Sequence, residues 1–127
     1  MFVDTTINCD LAVTSSGGGT LYLQMPYRGK VTNVAGIVQG AMASTTSVDM
    51  TLTAPSHGSG VTLGVMNFAN SSSDLAAKVA GVWTPDTSAG DTMLSAGSPL
   101  LLTVSAASIS TSGTLTFRIE LDPYGAG

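Results

Sequence analysis

The stretch 114-TLTFRIELD-122 decides the fold class. Leu115, Phe117, Ile119 and Leu121 alternate with Thr114, Thr116, Arg118 and Glu120 in strict period two. Successive side chains of a strand point to opposite faces, so this segment predicts one buried row and one solvated row, the pattern of a half-exposed antiparallel sheet. Working outward, Gly-, Ser- and Pro-rich punctuation separates further runs rich in β-branched and aliphatic residues. Strands are expected near residues 2–13, 20–25, 30–41, 47–53, 60–68, 77–83, 99–106 and 113–121. The intervening SSGGG, PYRG, ASTTS, APSHGSG, NSSSD, PDTSAGDTMLSAG and SISTSG supply turn chemistry. About eight short strands without a long helical period predict an all-β protein, an antiparallel β-sandwich or barrel.

Helix competes at one place only. In 71-SSSDLAAKVAGV-82, Ser72, Ser73 or Asp74 could cap a turn entering Leu75, Ala76 and Ala77, while Gly81 and the β-branched Val79 and Val82 oppose it. The expectation is a single helical turn running into a strand. The 127 residues fit one domain, with no fixed-period repeat and no composition break.

Charge is scarce. Asp, Glu, Lys and Arg make up 9 % of the chain against about 25 % in ordinary soluble domains, so the polar surface is built from Ser, Thr, Asn and Gly. The net charge of −4 and the absence of clustered Lys and Arg argue against nucleic acid, because phosphate neutralisation needs such clusters. Arg28 and Lys30 are the only close basic pair and read as a solvated strand end. The N-terminal MFVDTTINCD has no basic leader or long apolar run and does not read as a signal peptide, and no run approaches the roughly 20 apolar residues of a membrane span. The single cysteine, Cys9, cannot form an internal disulfide, so synthesis in a reducing cytoplasm is the simpler expectation.

Each candidate for chemistry meets a plainer rival. His57, the only histidine, lies in 55-PSHGSG-60, but a nucleophile triad also needs an orienting acid and an activated nucleophile, so a turn histidine is expected. Cys9 sits in an apolar-rich run and reads as a small buried hydrophobe. Asp86 and Asp91 are too few for a calcium loop, and Glu120 and Asp122 share a strand face simply because the period is two. The 15-SSGGG-19 loop leads into the alternating TLYLQM and not into a helix, which argues for a hairpin loop over a phosphate cradle. Asn70-Ser71-Ser72 matches a glycosylation acceptor without a secretion signal to give it meaning. Among Trp83, Tyr22, Tyr27 and Tyr124, only Tyr27 and Tyr124 fall in expected loops; the others read as core or interface rings. No catalytic residue, cofactor or metal ligand emerges, and a small hydrolase is disfavoured because one His and one Cys do not complete a site.

The segments 29-GKVTNVAGIVQGAMASTTSVDMTLT-53, 60-GVTLGVMNFANSSSDLAAKV-79 and 95-SAGSPLLLTVSAASISTSGTLTFRIEL-121 together resemble the head decoration, or cement, proteins of tailed phages. The resemblance rests on Gly29 and Val31, the Gly40-Ala41 kink, Asp49 with Thr51-Leu52-Thr53, Ala69-Asn70, the Ala96-Gly97-Ser98 turn, and Thr116, Phe117 and Ile119, and covers about 90 of the 127 residues. Two departures stand out: Ser98-Pro99 where an acid often follows Ala-Gly, and a longer AKVAGVWTPDTSAGDTM segment. What the resemblance implies is a non-enzymatic jelly-roll sandwich, commonly a homotrimer. Such a protein is synthesised in the host cytoplasm and seated on the outer surface of the virion, where it joins neighbouring copies of the major capsid protein.

Shape complementarity is then the expected product of the fold, and the expected capsid or oligomer contacts are Phe2, Val3, Ile7, Met25, Tyr27, Arg28 and Trp83. Residues 1–7 are open to two readings, an extended arm that adds to a neighbour's sheet or the first strand of the chain's own sandwich. The alternative function is a carbohydrate- or receptor-binding module of a phage fibre or tail, which would use the same sandwich with aromatic rings at one end.

Overall fold

The computed structural model describes residues 6–14, 18–39, 42–44, 48–55, 60–68, 74–75, 80–87, 93–104, 109–111 and 113–123. These form β1 (Thr6–Val13), β2 (Gly19–Gln24), β3 (Gly29–Val38), β4 (Met42–Ser44), β5 (Val48–Ala54), β6 (Val61–Phe68), β7 (Asp74–Leu75), β8 (Val82–Pro85), β9 (Pro99–Val104), β10 (Ile109–Thr111) and β11 (Gly113–Pro123). Two antiparallel sheets pack against each other, a three-stranded one in the order β1-β11-β3 and a five-stranded one in the order β2-β9-β5-β6-β8. A small sheet, β10-β4-β7, joins the three shortest pieces. The fold is the expected β-sandwich, with eight strands in its two main sheets.

The pairings are nested. Strand β1 pairs with β11 and β2 with β9; β3 meets the segment before β8 through Ile37 and Ala80; β5 and β6 form the innermost hairpin. Lateral pairing of β11 with β3 and of β9 with β5 then joins successive turns of this folded ribbon. Such a wound antiparallel ribbon is the jelly-roll order.

Alternation explains the core. On β11, Leu115, Phe117 and Ile119 are fully buried and Leu121 is 5 % exposed, while Thr114, Thr116, Arg118 and Glu120 face outward. From the other sheet Leu52, Met66, Phe68, Leu100 and Leu102 close the core, and the Phe68 ring meets Phe117 edge-on at 6.1 Å between centroids. An edge-to-face pair contributes about 0.5–1.5 kcal/mol beyond burial. Two bulges break the strict period: Thr32 is extra in β3 and Leu63 is extra in β6. Hence Thr32 and Asn33 are both exposed, and Leu63 and Gly64 both buried.

The sandwich closes along one side where the chain crosses between sheets. Gly81 donates its N–H to Gly36 O at 3.0 Å, and β8 then continues on β6. A Cβ on Gly81 would lie 2.5 Å from both Cγ and Sδ of Met66, and one on Gly36 would lie 2.5 Å from Met66 Sδ. Glycine at both positions lets the two backbones straddle the buried methionine.

Three expectations change here. The turn expected at SISTSG contains a short strand, β10, paired with β4. The helical turn near residues 71–77 is replaced, at the described positions Asp74 and Leu75, by a short strand paired with Ala43 and Met42. The strand expected at 77–83 lies later, at Val82–Pro85, because its register is set by pairing with Asn67 to Gly64. Among the described residues there is no helix, so none is long and apolar enough to cross a membrane.

Candidate contact surface

The two outer faces of the sandwich differ in chemistry. On the three-stranded sheet the outward rows bring together Asp10, Lys30, Arg118, Glu120 and Asp122 from three strands. The charges there are tied into a polar mesh. Thr116 Oγ1 donates to Asp10 Oδ1 at 2.6 Å, and Asn33 Nδ2 donates to Glu120 Oε2 at 2.8 Å. Arg118 Nη2 lies 3.4 Å from Glu120 Oε1, an exposed ion pair that contributes little. This face is suited to water.

The five-stranded sheet presents the opposite. Its register aligns Thr20, Thr103, Thr51, Val65 and Thr84 in one row across all five strands. A second row runs Tyr22, Leu101, Thr53 and Thr62, with Gln24 beside Pro99 at one margin and Asp49, Asn67 and Val82 at the other. Asp49 is the only charged residue in these rows, and its Oδ1 accepts a hydrogen bond from Asn67 Nδ2 at 2.6 Å. Tyr22 and Val82 are 64 % and 66 % exposed, at opposite edges of the sheet. A face of methyls, hydroxyls, amides and one tyrosine can be covered by a partner with a single charge, Asp49, to desolvate. Charged residues are depleted from the cores of protein interfaces, and tyrosine is enriched there.

The described residues expected at contacts do not form one patch. Met25 is corrected to the core: it is 2 % exposed, its N–H bonds to Ser98 O at 2.9 Å, and its carbonyl accepts from Gly97 N at 2.8 Å. Its side chain shares the inward parity of Gly19, Leu21 and Leu23, and the facing segment keeps pairing with it through a glycine bulge in which Gly97 adopts φ 82°. Tyr27 is half-buried against the core and Arg28 is exposed in the same connection. Trp83 is half-buried too, its ring over Gly64, where a Cβ would lie 2.5 Å from Cη2 and Cζ2. Ile7 lies within β1, opposite Ile119, and packs partly on the core. Phe2 and Val3, like His57, Asn70, Asp91 and Tyr124, lie outside the described residues. Tyr22, expected in a core or an interface, is not in the core: it is the most exposed aromatic ring among the described residues, on the face that carries Asp49 as its charge.

Little on the described surface points to bond-making chemistry. The Cys9 thiol is pushed up to about 11, chiefly by burial and secondly by the neighbouring Asp10 carboxylate, which makes it a poor nucleophile near neutrality. No group of three or more His, Cys, Asp or Glu able to hold a metal occurs among the described residues. An open hollow of about 390 Å³ on the charged side is lined by Ala35, Gly36, Ile37, Ala80, Thr116, Phe117 and Arg118. Its lining is mostly apolar, with Arg118 at the rim and no acid–base pair. Comparison of the chain with protein-family models, with curated proteins and with solved structures gives no significant match.

Proposed function

We propose that the chain is a structural protein of a virion, a decoration or cement protein that seats on the outer surface of a phage capsid and reinforces it by linking neighbouring capsid subunits. The observation that carries this reading is the five-stranded sheet's outer face, which spans all five strands with Asp49 as its only charge among the described residues. Five of the chain's twelve charged residues lie on the opposite sheet and one in these rows, which leaves a broad surface whose desolvation costs little. The resemblance of residues 29–121 to phage decoration proteins gives that surface its partner. Reinforcement then works by mass action: a protein bound to the assembled shell and not to its dissociated subunits stabilises the shell by RT ln(1 + [L]/Kd).

The test uses virions of the phage that encodes the chain, examined by denaturing gel and electron microscopy, together with capsids stripped of the protein. The protein should appear at a fixed copy number on the outer shell, and adding it back should raise the temperature at which stripped capsids break. Thr51→Lys with Thr103→Lys should abolish rebinding, while Asp10→Asn on the other sheet should not. Virions without the chain, or normal rebinding by the lysine variant, would refute the proposal. Exposed Tyr22 favours the alternative, a glycan- or receptor-binding module of a fibre or tail. Virions carrying the chain on the tail, with selective capture on a glycan array that Tyr22→Ala removes, would establish it instead.

A further inference from the structure

A sheet edge left unpaired in a soluble protein is ordinarily short, charged, interrupted by proline or covered. Three of the four edges of the two main sheets are managed in this way. Strand β3 is engaged at both ends, by Ala80 and Gly81 and by the mutual hydrogen bonds of Gly29 and Leu94. Strand β8 has four residues, ends in Pro85, which has no N–H to offer, and is followed by Asp86. Strand β1 carries Asp10. Strand β2, GTLYLQ, has neither a charge nor a proline over its six residues, and its outer side is engaged only just before it begins, by the mutual hydrogen bonds of Thr14 and Gly18.

The hydrogen-bond parity of β2 follows from its end. Met25 N–H and C=O both point toward the β9 side, to Ser98 O and Gly97 N. In an antiparallel ladder, residues two apart share this direction. Leu23, Leu21 and Gly19 therefore bond to β9, and the N–H and C=O groups of Thr20, Tyr22 and Gln24 point out from the sheet edge.

We propose that β2 pairs, antiparallel and about a twofold axis, with β2 of a second copy of this chain, Tyr22 lying opposite the partner's Tyr22. The register is fixed by the sequence, which is quasi-palindromic about that residue: T-L-Y-L-Q. With Tyr22 on the axis, Thr20 meets the partner's Gln24 and Gln24 meets the partner's Thr20, and all three outward-pointing residues become hydrogen-bonded pairs. Leu21 falls opposite the partner's Leu23 on the core side, where both leucines are only partly buried in the single copy. The occupant follows from charge. Two copies of net charge −4 repel in general, but the nearest outer-face charge to this edge is Asp49 on β5, two strands in. Pairing also makes the two sparsely charged faces continuous, so the two five-stranded sheets become one of ten strands.

The inference goes beyond the proposed function and is tested without a capsid. Purified protein is studied by sedimentation and light scattering up to several hundred micromolar, where a dimer is expected. Tyr22→Lys places like charges directly opposite and should weaken dimerisation by about tenfold or more with an unchanged far-ultraviolet spectrum, since Tyr22 is 64 % exposed. In a Cys9→Ala background, Tyr22→Cys should oxidise to a covalent dimer, because hydrogen-bonded antiparallel partners have Cα atoms about 5.5 Å apart, within disulfide reach. Thr20→Cys alone should not, its twofold mate being roughly 13 Å away along the strand; mixed with Gln24→Cys it should. A monomer throughout the concentration range, a trimer indifferent to Tyr22→Lys, or Thr20→Cys cross-linking to itself as well as Tyr22→Cys does would each overturn the pairing.

Discussion

Gly81→Ala is the most exacting probe of how the two sheets are joined. The new Cβ would sit 2.5 Å from Met66 Cγ and Sδ and 3.0 Å from Phe68 Cε1. Ordinary non-bonded contacts lie near 3.5–4.0 Å, so about 1 Å of overlap must be relieved. Met66 is fully buried and cannot swing into solvent, and the 3.0 Å bond from Gly81 N to Gly36 O resists a backbone shift. Overpacking of this kind costs about 1–3 kcal/mol. The substitution also restricts the unfolded chain, which offsets about 0.4–1 kcal/mol of that cost. Net destabilisation of about 0.5–2 kcal/mol is expected. Met66→Ala alone, a large-to-small change in the core, should cost about 2–5 kcal/mol. In the double variant the added methyl enters space that the methionine has left. The double loss should therefore fall short of the sum by about 1 kcal/mol or more, whereas independent sites add to within about 0.5 kcal/mol. Urea unfolding followed by far-ultraviolet circular dichroism, at one low protein concentration, measures all four corners of the cycle. Additive losses, or a Gly81→Ala protein as stable as the parent, would refute the claim that the crossing segment is wedged against Met66.

Three further outcomes follow from individual residues. Gly97→Ala should cost about 1 kcal/mol although nothing lies within 4 Å of its Cβ position, because φ is +82° there; an unchanged urea midpoint would show that the turn flips freely. Ile7→Ala should lower stability by about 1–2 kcal/mol, since Ile7 is partly buried in β1; no change would favour the extended-arm reading for this residue. With its pKa raised from 9.0 to about 11, Cys9 should react with a disulfide reagent at pH 8 about a hundredfold more slowly in the native protein than in urea, and equal rates would contradict its burial. A raised folded-state pKa means that the stability from holding this thiol neutral is fully present below about pH 9 and is lost as pH rises toward 11. Cys9→Ala should flatten that alkaline decline.

The sequence by itself determined the local half of this protein. Period two in 114–122 assigned Leu115, Phe117, Ile119 and Leu121 to the core before any partner strand was known, because a strand's alternation belongs to its own backbone. An apolar-rich run marked Cys9 as a small hydrophobe, and it is half-buried against the core. Alternation says nothing about neighbours, however. Asp10, Lys30 and Glu120 meet on one face only because β1, β3 and β11 are adjacent, and the threonine row exists only because five distant strands fall into one register. Where the pattern was hidden, it was hidden for a reason: 100-LLLTV-104 buries Leu100 and Leu102 and turns Leu101 outward, so a continuous apolar run concealed its outward member. Met25, expected as a strand-end contact, continues the inward parity of Leu21 and Leu23 one residue past β2, and the extra Thr32 and Leu63 reset the alternation midway along β3 and β6. The backbone period fixes which way a side chain points from its own strand. Long-range pairing, bulges and the closure of two sheets on one core decide what it meets there.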